Sequence, residues 1–349
     1  MTDFWSLPDF DGHEAVTHVT DPASGLKAII AIHSTHLGPA GGGCRFWHYA
    51  DAEDALTDAL RLSRGMSYKN AMAGLPLGGG KAVILADEAR TKTPAMLAAF
   101  GRAIERLGGR YVTAEDVGID VSDMQAVRRE TRHVAGLPAA QGEVGGDPGP
   151  HTSLGVFLGI KAAVRRSLGR DSLSGLHLAV QGAGSVASGV ARHAAAEGAR
   201  LTIADVDASK AARLAAEVGG APGDPATILS IEADVVSPNA LGAILDDASI
   251  AALSAPIVAG GANNQLARPE HGAALMARGI LYAPDYVINA GGIINVSTEY
   301  LQDGDADVVR RRIAGIPDRL EAIWSESHSS GRDPATVADA MAQKLIGRR

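Results

Sequence analysis

In the segment GMSYKNAMAGLPLGGGK, Lys69 and Lys81 are the only charged residues, set among apolar residues and glycines. Lysine ordinarily lies on a solvated face among other charges. Two close together in an apolar setting raise the cost of each other's protonation, and burial adds to it. A lysine disfavoured as a cation is a general base near neutrality. Gly78, Gly79 and Gly80 remove side chains just before Lys81, which is expected to let a small substrate and its carboxylate approach the backbone. Two solvated lysines on a loop are the ordinary alternative.

Three more groups of residues have types and spacing suited to chemistry. YVTAEDVG, Tyr111 to Gly118, puts Glu115 and Asp116 at the end of a short strand, where a carboxylate projects into a cleft or, more commonly, caps a turn or helix. Gly182 to Ala187 reads GAGSVA, a GxGxxA pattern that directly follows the apolar run LHLAVQ, opens a helix with Val186, Val190 and Ala194 on one face, and precedes Asp205 at the end of the next strand. There Gly182 makes the tight turn, and Gly184 lets backbone N–H groups reach a pyrophosphate at the helix start. Asp205 accepts from ribose hydroxyls and repels a 2′-phosphate, which selects NAD over NADP. A tight turn without a ligand is the alternative. In VAGGANNQL, Asn263 and Asn264 follow a strand, where side-chain amides can fix a ligand or belong to an ordinary loop.

The elements that position these groups follow from periodicity. Gly25 to His33 is expected as a buried strand, and Gly38 to Gly43 as a glycine-rich turn. Ala50 to Met66 has helical spacing of its apolar residues, and Ala82 to Leu85 reads as a strand. Thr93 and Pro94 open a helix that Gly108 stops. Gln141 to Pro150 (QGEVGGDPGP) marks the boundary between a domain over residues 1–140 and one over 141–327. Beyond it a helix over 152–168 leads to a strand over 176–181, a helix to Glu197 and a strand ending at Asp205. Further strands at 234–236 and 256–259 alternate with helices, the pattern of a parallel doubly wound sheet. After Gly292 the chain reads as helical, and a polar helix over about 328–349 could return to the first domain.

Length and composition exclude other classes. The 349 residues exceed twice a domain of about 150, so two domains are expected. With 46% hydrophobic and 21% charged residues the chain has material for two cores. The formal charge of −8, with no basic tract, offers nothing to a nucleic-acid backbone. Ala28 to Ile32 is the longest aliphatic run, far below the roughly 20 residues needed to cross a membrane. The acidic opening MTDFWSLPDFDG lacks a signal-like pattern, and Cys44 is the only cysteine, so a cytoplasmic protein is expected. No metal site is expected, because the eleven histidines show no ligand spacing; His33, His36 and His48 read as structural or surface residues. A nucleophile elbow is absent, and Cys44 has no base beside it.

Taken together, HSTHLGPAGGGCR, GMSYKNAMAGLPLGGGK, YVTAEDVGIDVSDM, GDPGPHT, VQGAGSVA, VAGGANNQL and APDYVINAGGIINV resemble the glutamate, leucine, phenylalanine and valine dehydrogenase family, most of all its short leucine and phenylalanine branch. The resemblance implies an α/β fold of two domains separated by a cleft: an N-terminal α/β substrate and oligomerisation domain and a Rossmann doubly wound NAD-binding domain. It also implies a homo-oligomer and the NAD-dependent oxidative deamination of an apolar L-amino acid to its 2-oxo acid and ammonia. By motif, Lys69 would pair with the substrate carboxylate, Lys81 would be the base, and Asp116 would assist proton transfer. Arg45, Thr152, Gly182, Ala183, Gly184, Ser185, Val186, Ala187, Ser188, Asp205, Asn239, Ala240 and Asn263 would line the dinucleotide site. Gly41, Gly42, Met66, Ala114, Asn263, Ile293 and Val296 would line the substrate pocket. Gly41 stands where leucine-type relatives have a bulky residue, so phenylalanine is kept beside leucine and valine as substrate. A non-catalytic NAD-binding regulator is the reading from another class; loss of Lys69, Lys81 or Asp116 would have favoured it, and all three are present.

Overall fold

The computed structural model describes residues 4–7, 9–139 and 144–348. It divides the chain into two compact units. The first takes the described residues up to Asp147 with Asn295–Asp307 and the residues from Ala342 on; the second takes Pro148–Ile294 and Val308–Met341. This differs from a division at 140/141, and residues 140–143 lie outside the described ones. Of the returning C-terminal stretch, only the part from Ala342 joins the first unit.

In the first unit the order is β1 (Ala15–Asp21), β2 (Leu26–Ser34), β3 (Ala40–Gly41), β4 (Cys44–Trp47), α1 (Ala52–Met72), β5 (Gly78–Leu85), α2 (Pro94–Arg106), β6 (Tyr111–Val112) and α3 (Val121–Arg128). The sheet runs β1-β2-β5-β3-β6, with β4 also on β5. β1 and β2 are antiparallel, as are β2 and β5, whereas β3 and β4 lie parallel to β5. β2 is a near-continuous apolar run because both faces are covered. Ile30 and Ile32 join Met96, Phe100, Ile104 and Met124 in one core; Ile29 and Ala31 join Ala55, Ala59 and Leu60 in another. β1, β3 and β4 are additional to the strands expected from the sequence.

Two boundaries move in ways that matter for the site. The helix expected to end at Met66 runs to Met72, because Ser67, Tyr68, Asn70, Ala71 and Met72 are buried, and packing outweighs the modest helix propensity of Ser67, Tyr68 and Asn70. Lys69 therefore lies in the last helical turn rather than on a loop. The strand expected at Ala82 begins at Gly78 and takes in the three glycines and Lys81.

The second unit contains α4 (Gly149–Leu168), β7 (His177–Gln181), α5 (Ser185–Ala196), β8 (Arg200–Ala204), α6 (Ala208–Val218), β9 (Ala221–Pro222), β10 (Val235–Pro238), α7 (Asp247–Ala252), β11 (Ile257–Val258), α8 (Glu270–Ala277), β12 (Leu281–Tyr282) and α9 (Asp285–Ile288). The helices α10 (Gly291–Leu301), α11 (Ala306–Ala314), α12 (Ile316–Ser330) and α13 (Pro334–Leu345) complete the chain. The sheet is wholly parallel in the order β12-β11-β10-β7-β8-β9. Numbered within the sheet, that is the doubly wound 3-2-1-4-5-6 arrangement, whose ligand site lies off the carboxyl ends of the strands. None of the described helices is long and apolar enough to cross a membrane.

Candidate active site

Lys81 lies mid-strand on β5, opposite Ala31 of β2, and is only 6% exposed. A buried ammonium needs a counter-charge, and Lys81 donates to Asp116 Oδ2, just beyond β6. Arg45 Nε on β4 donates to the same oxygen at 3.0 Å. Its Nη1 donates to Asp58 of α1 at 3.0 and 3.2 Å, and the Tyr49 hydroxyl donates to Asp58 Oδ2 at 2.7 Å. Burial pushes the Asp116 carboxyl up, but Lys81 and Arg45 outweigh it and hold Asp116 below the usual carboxylate range. The neighbouring Glu115 moves the other way, raised by burial and then by Asp147, Asp120 and Asp116. Burial also raises the Cys44 thiol, so it is no thiolate nucleophile.

Arg45 was expected among the dinucleotide residues. The structure places it in the first unit, tied to two carboxylates, Asp58 and Asp116. Sequence reasoning missed Asp58 and Tyr49. Their signal is weak, because an acid in the exposed-looking first half of α1 resembles a solvated helix face.

The three glycines before Lys81 also serve another purpose than the one expected. A Cβ on Gly78 would lie 1.9 Å from the Ser34 carbonyl oxygen, one on Gly79 2.0 Å from the Ser67 nitrogen, and one on Gly80 2.7 Å from the Tyr111 ring. The space they leave is filled by β2, α1 and β6. Their absent side chains let three elements close on β5, which fixes the backbone that carries Lys81.

Lys69, half-buried on α1, sits between anchored neighbours. Ser67 Oγ meets His33 Nδ1 at 2.7 Å, and Asn70 Nδ2 donates to the Gly78 carbonyl at 2.6 Å and the Gly41 carbonyl at 3.4 Å. Gly42 packs so closely that its Cβ would lie 1.8 Å from the Gly80 oxygen and 3.2 Å from Met66 Cγ. Tyr111 donates to the Gly42 carbonyl at 2.7 Å. The Ala114 carbonyl accepts from the Cys44 amide at 2.9 Å. Lys81, Asp116, Gly41, Gly42 and Met66 are thus gathered around the β5 glycines. Val296 of α10 is buried in the same unit and close to Gly136, whereas Ile293 belongs to the second unit.

The second unit carries the other expected residues. Gly182 has φ +99° and donates to the Ala204 carbonyl at 2.7 Å, a conformation that favours glycine. Gly184 has nothing within 4 Å of where its Cβ would stand, and the start of α5 has no side-chain cap. An open, uncapped helix N-terminus fits a pyrophosphate, with Ser185 to Ser188 forming its first turn. Asp205, directly after β8, accepts from the Ala183 amide at 2.8 Å through Oδ2 and from the Asp207 amide at 2.8 Å through Oδ1. A carboxylate keeps further lone pairs for hydroxyl donors, so it also fits ribose. Thr152 lies in the first turn of α4 and donates to the Pro148 carbonyl at 2.9 Å. Asn239 braces two strand ends by accepting from the Gly261 amide and donating to Ser237, with exposed Ala240 beside it. Asn263 Oδ1 accepts from Asn289 at 2.7 Å.

Residues 13–133 match the family described as Glu/Leu/Phe/Val dehydrogenase, dimerisation domain, and residues 202–345 match Glutamate/Leucine/Phenylalanine/Valine dehydrogenase. A leucine dehydrogenase of Geobacillus stearothermophilus is 47% identical over 96% of this chain and 90% of its own length. The chain belongs to this family. A valine dehydrogenase of Streptomyces virginiae is 46% identical over 97% of this chain and 95% of its own. Among solved structures, L-tryptophan dehydrogenase from Nostoc punctiforme superposes with a TM-score of 0.85 at 42% identity, covering 96% of each chain. Membership makes the chain an amino acid dehydrogenase, an oxidoreductase acting on CH–NH2 groups.

Proposed function

We propose that this enzyme oxidatively deaminates an apolar L-amino acid of the leucine or valine type to its 2-oxo acid and ammonia, reversibly, with NAD. The observation that carries the reading is the buried Lys81 in ion contact with Asp116 on a strand whose backbone is locked by close packing. NAD, when bound, accepts the α-hydrogen of the amino acid as hydride. Lys69 pairs with the substrate carboxylate and so orients Cα. Lys81, as the free amine, takes a proton from the substrate ammonium and passes it to solvent; free again, it takes one from the water that adds to the iminium carbon and returns that proton to the amino group that leaves as ammonia. Asp116 accepts from Lys81 and fixes the position of Nζ. The Gly182 turn and the α5 N-terminus take the pyrophosphate, and Asp205 the adenosine ribose. Relatives named for leucine and valine support an aliphatic substrate. Incubating the purified enzyme with NAD and a panel of twenty amino acids, while following NADH absorbance, tests the reading. Turnover of glutamate in preference to every apolar member would overturn it. We further propose a homo-oligomer formed through the segment that matches the dimerisation domain, to be checked by sedimentation.

A cofactor prediction follows from Asp205. Replacing it with Ser removes hydrogen bonds to a charged acceptor, each worth about 1.5–3 kcal/mol, and also the charge that repels a 2′-phosphate. The NAD over NADP ratio of kcat/KM should narrow by roughly tenfold or more. An unchanged ratio would show that selection lies elsewhere.

Gly41 tests the substrate class. Its Cβ would meet Leu77 Cδ1 at 3.4 Å and Asn70 Nδ2 at 3.6 Å, ordinary contacts, so a Cβ fits there although not at Gly42. Gly41→Leu fills pocket space, and overfilling costs on the order of 1–3 kcal/mol, so kcat/KM for phenylalanine should fall more than that for leucine. The tryptophan-named structural relative keeps large aromatic amino acids in the panel. Equal losses for both substrates would remove residue 41 from the pocket.

A further inference from the structure

A densely bonded polar group outside the network around Lys81 lies at Arg348. Arg348 donates to the main-chain carbonyls of Asp11, Gly12 (3.0 Å) and His33 (2.9 Å), lies 3.1 Å from the Asp11 carboxylate, and meets His33 Nε2 at 2.6 Å. The approach is shaped for it: Gly347 has φ +74° and a Cβ there would stand 2.8 Å from the His36 ring. Five residues earlier, Gln343 Nε2 donates to the Tyr68 hydroxyl at 2.9 Å.

His33 Nε2 thus faces the Arg348 guanidinium, which only donates, and also lies 3.1 Å from Asp11 Oδ2, which only accepts when ionised. His33 Nδ1 meets Ser67 Oγ at 2.7 Å. Burial, and then the positive charge of Arg348, push His33 down to about 4, which keeps the ring neutral near pH 7. His33 falls at the β2 irregularity between Ile32 and Ser34, opposite the β5 glycines against which Ser67 is packed. Ser67 and Tyr68 are the two residues that precede Lys69. Both are therefore reached by the same segment, one through His33 and one directly.

We propose that Gln343–Arg348 is a strap that positions Lys69, so that the enzyme's grip on the substrate carboxylate depends on residues more than 270 positions away in the chain. The inference rests on the role given to Lys69 above. Arg348 and Gln343 are positioning residues, acting through His33, Ser67 and Tyr68.

Arg348→Ala and Gln343→Ala, each in the full-length enzyme, test it. Amino acid KM should rise roughly tenfold in Arg348→Ala, with kcat changed by less than about threefold. The inhibition constant of 4-methylpentanoate, a carboxylate without an amino group, should rise in parallel, and NAD affinity should hold. Arg348→Lys should restore part of the loss. In a Lys69→Ala background, Arg348→Ala should add almost nothing, because both act on one interaction. Hydrogen exchange of amides 66–72 should quicken in both strap variants, a readout that needs no turnover. Unchanged KM and inhibition constants in folded variants would overturn the strap, as would a joint loss of kcat, KM and NAD affinity. Parent enzyme inactive on every amino acid would instead overturn the functional reading.

Discussion

Lys81→Ala should lower kcat by about 10²- to 10⁴-fold, the usual worth of a positioned general base, while NAD binding stays near its original strength. The variant should still fold. Lys81 shares Asp116 Oδ2 with Arg45, so its removal leaves the carboxylate paired instead of stranding a charge. The β5 backbone is held by the glycine contacts and not by the lysine side chain. The pH profile of kcat/KM for oxidation should change shape in the variant, which lacks the base. Steady-state kinetics from about pH 6 to 11, bracketing the ordinary titration of His to Lys, with NAD binding by calorimetry, give the answer. Near-normal turnover by Lys81→Ala would place the base elsewhere.

What the sequence displays, and what it hides, follows from how far apart the interacting residues are. The helix opened by Thr93 and Pro94 was readable because its cap is local: Thr93 Oγ1 accepts from the Met96 amide. The Gly182 turn was readable for the same reason, with its distant partners Ala204 and Asp205 both at the next strand end. The short strands β3 and β4 were not, because two and four residues of LGPAGGGCRFW carry no periodicity; they exist because β5 offers its edge. The three glycines were visible but their purpose was not, since Ser34, Ser67 and Tyr111 lie in three other elements. Arg348 was hidden for the most general reason: one of two adjacent arginines near the end of the sequence has no local signature that points to Asp11 or His33.

The Arg45 network shows how that distance matters to chemistry. Each of its members is ordinary in sequence: an arginine after the glycine turn, an aspartate on a helix, a tyrosine in a loop. Assembled, they place a permanent cation against Asp116 that does not depend on the protonation of Lys81. Asp116 is therefore held as a carboxylate by Arg45 as well as by Lys81.

That arrangement makes Asp116→Asn the most informative change after Lys81. Asparagine keeps the shape but leaves Lys81 and Arg45 facing a neutral group, two cations with their shared counter-charge gone. Breaking a buried pair costs about 3–5 kcal/mol; with the Asp116 side chain 23% exposed, solvent screening brings the expected loss of stability to about 2–4 kcal/mol. The sign of the pH dependence follows from the lowered Asp116 carboxyl. A group whose folded-state value is depressed stabilises fully above its unfolded value, about 3.9 for Asp, and loses that contribution as pH falls through the folded one. The stability gap between parent and Asp116→Asn should be widest near neutrality and close as the solution is acidified below about pH 4. Urea unfolding at several pH values reads it directly. Turnover should fall as well, by about 10²-fold or more, because Lys81 loses the acceptor that fixes Nζ. A gap that keeps its size into acid would mean that the destabilisation comes from packing and not from charge, and parental turnover would take Asp116 out of the proton path.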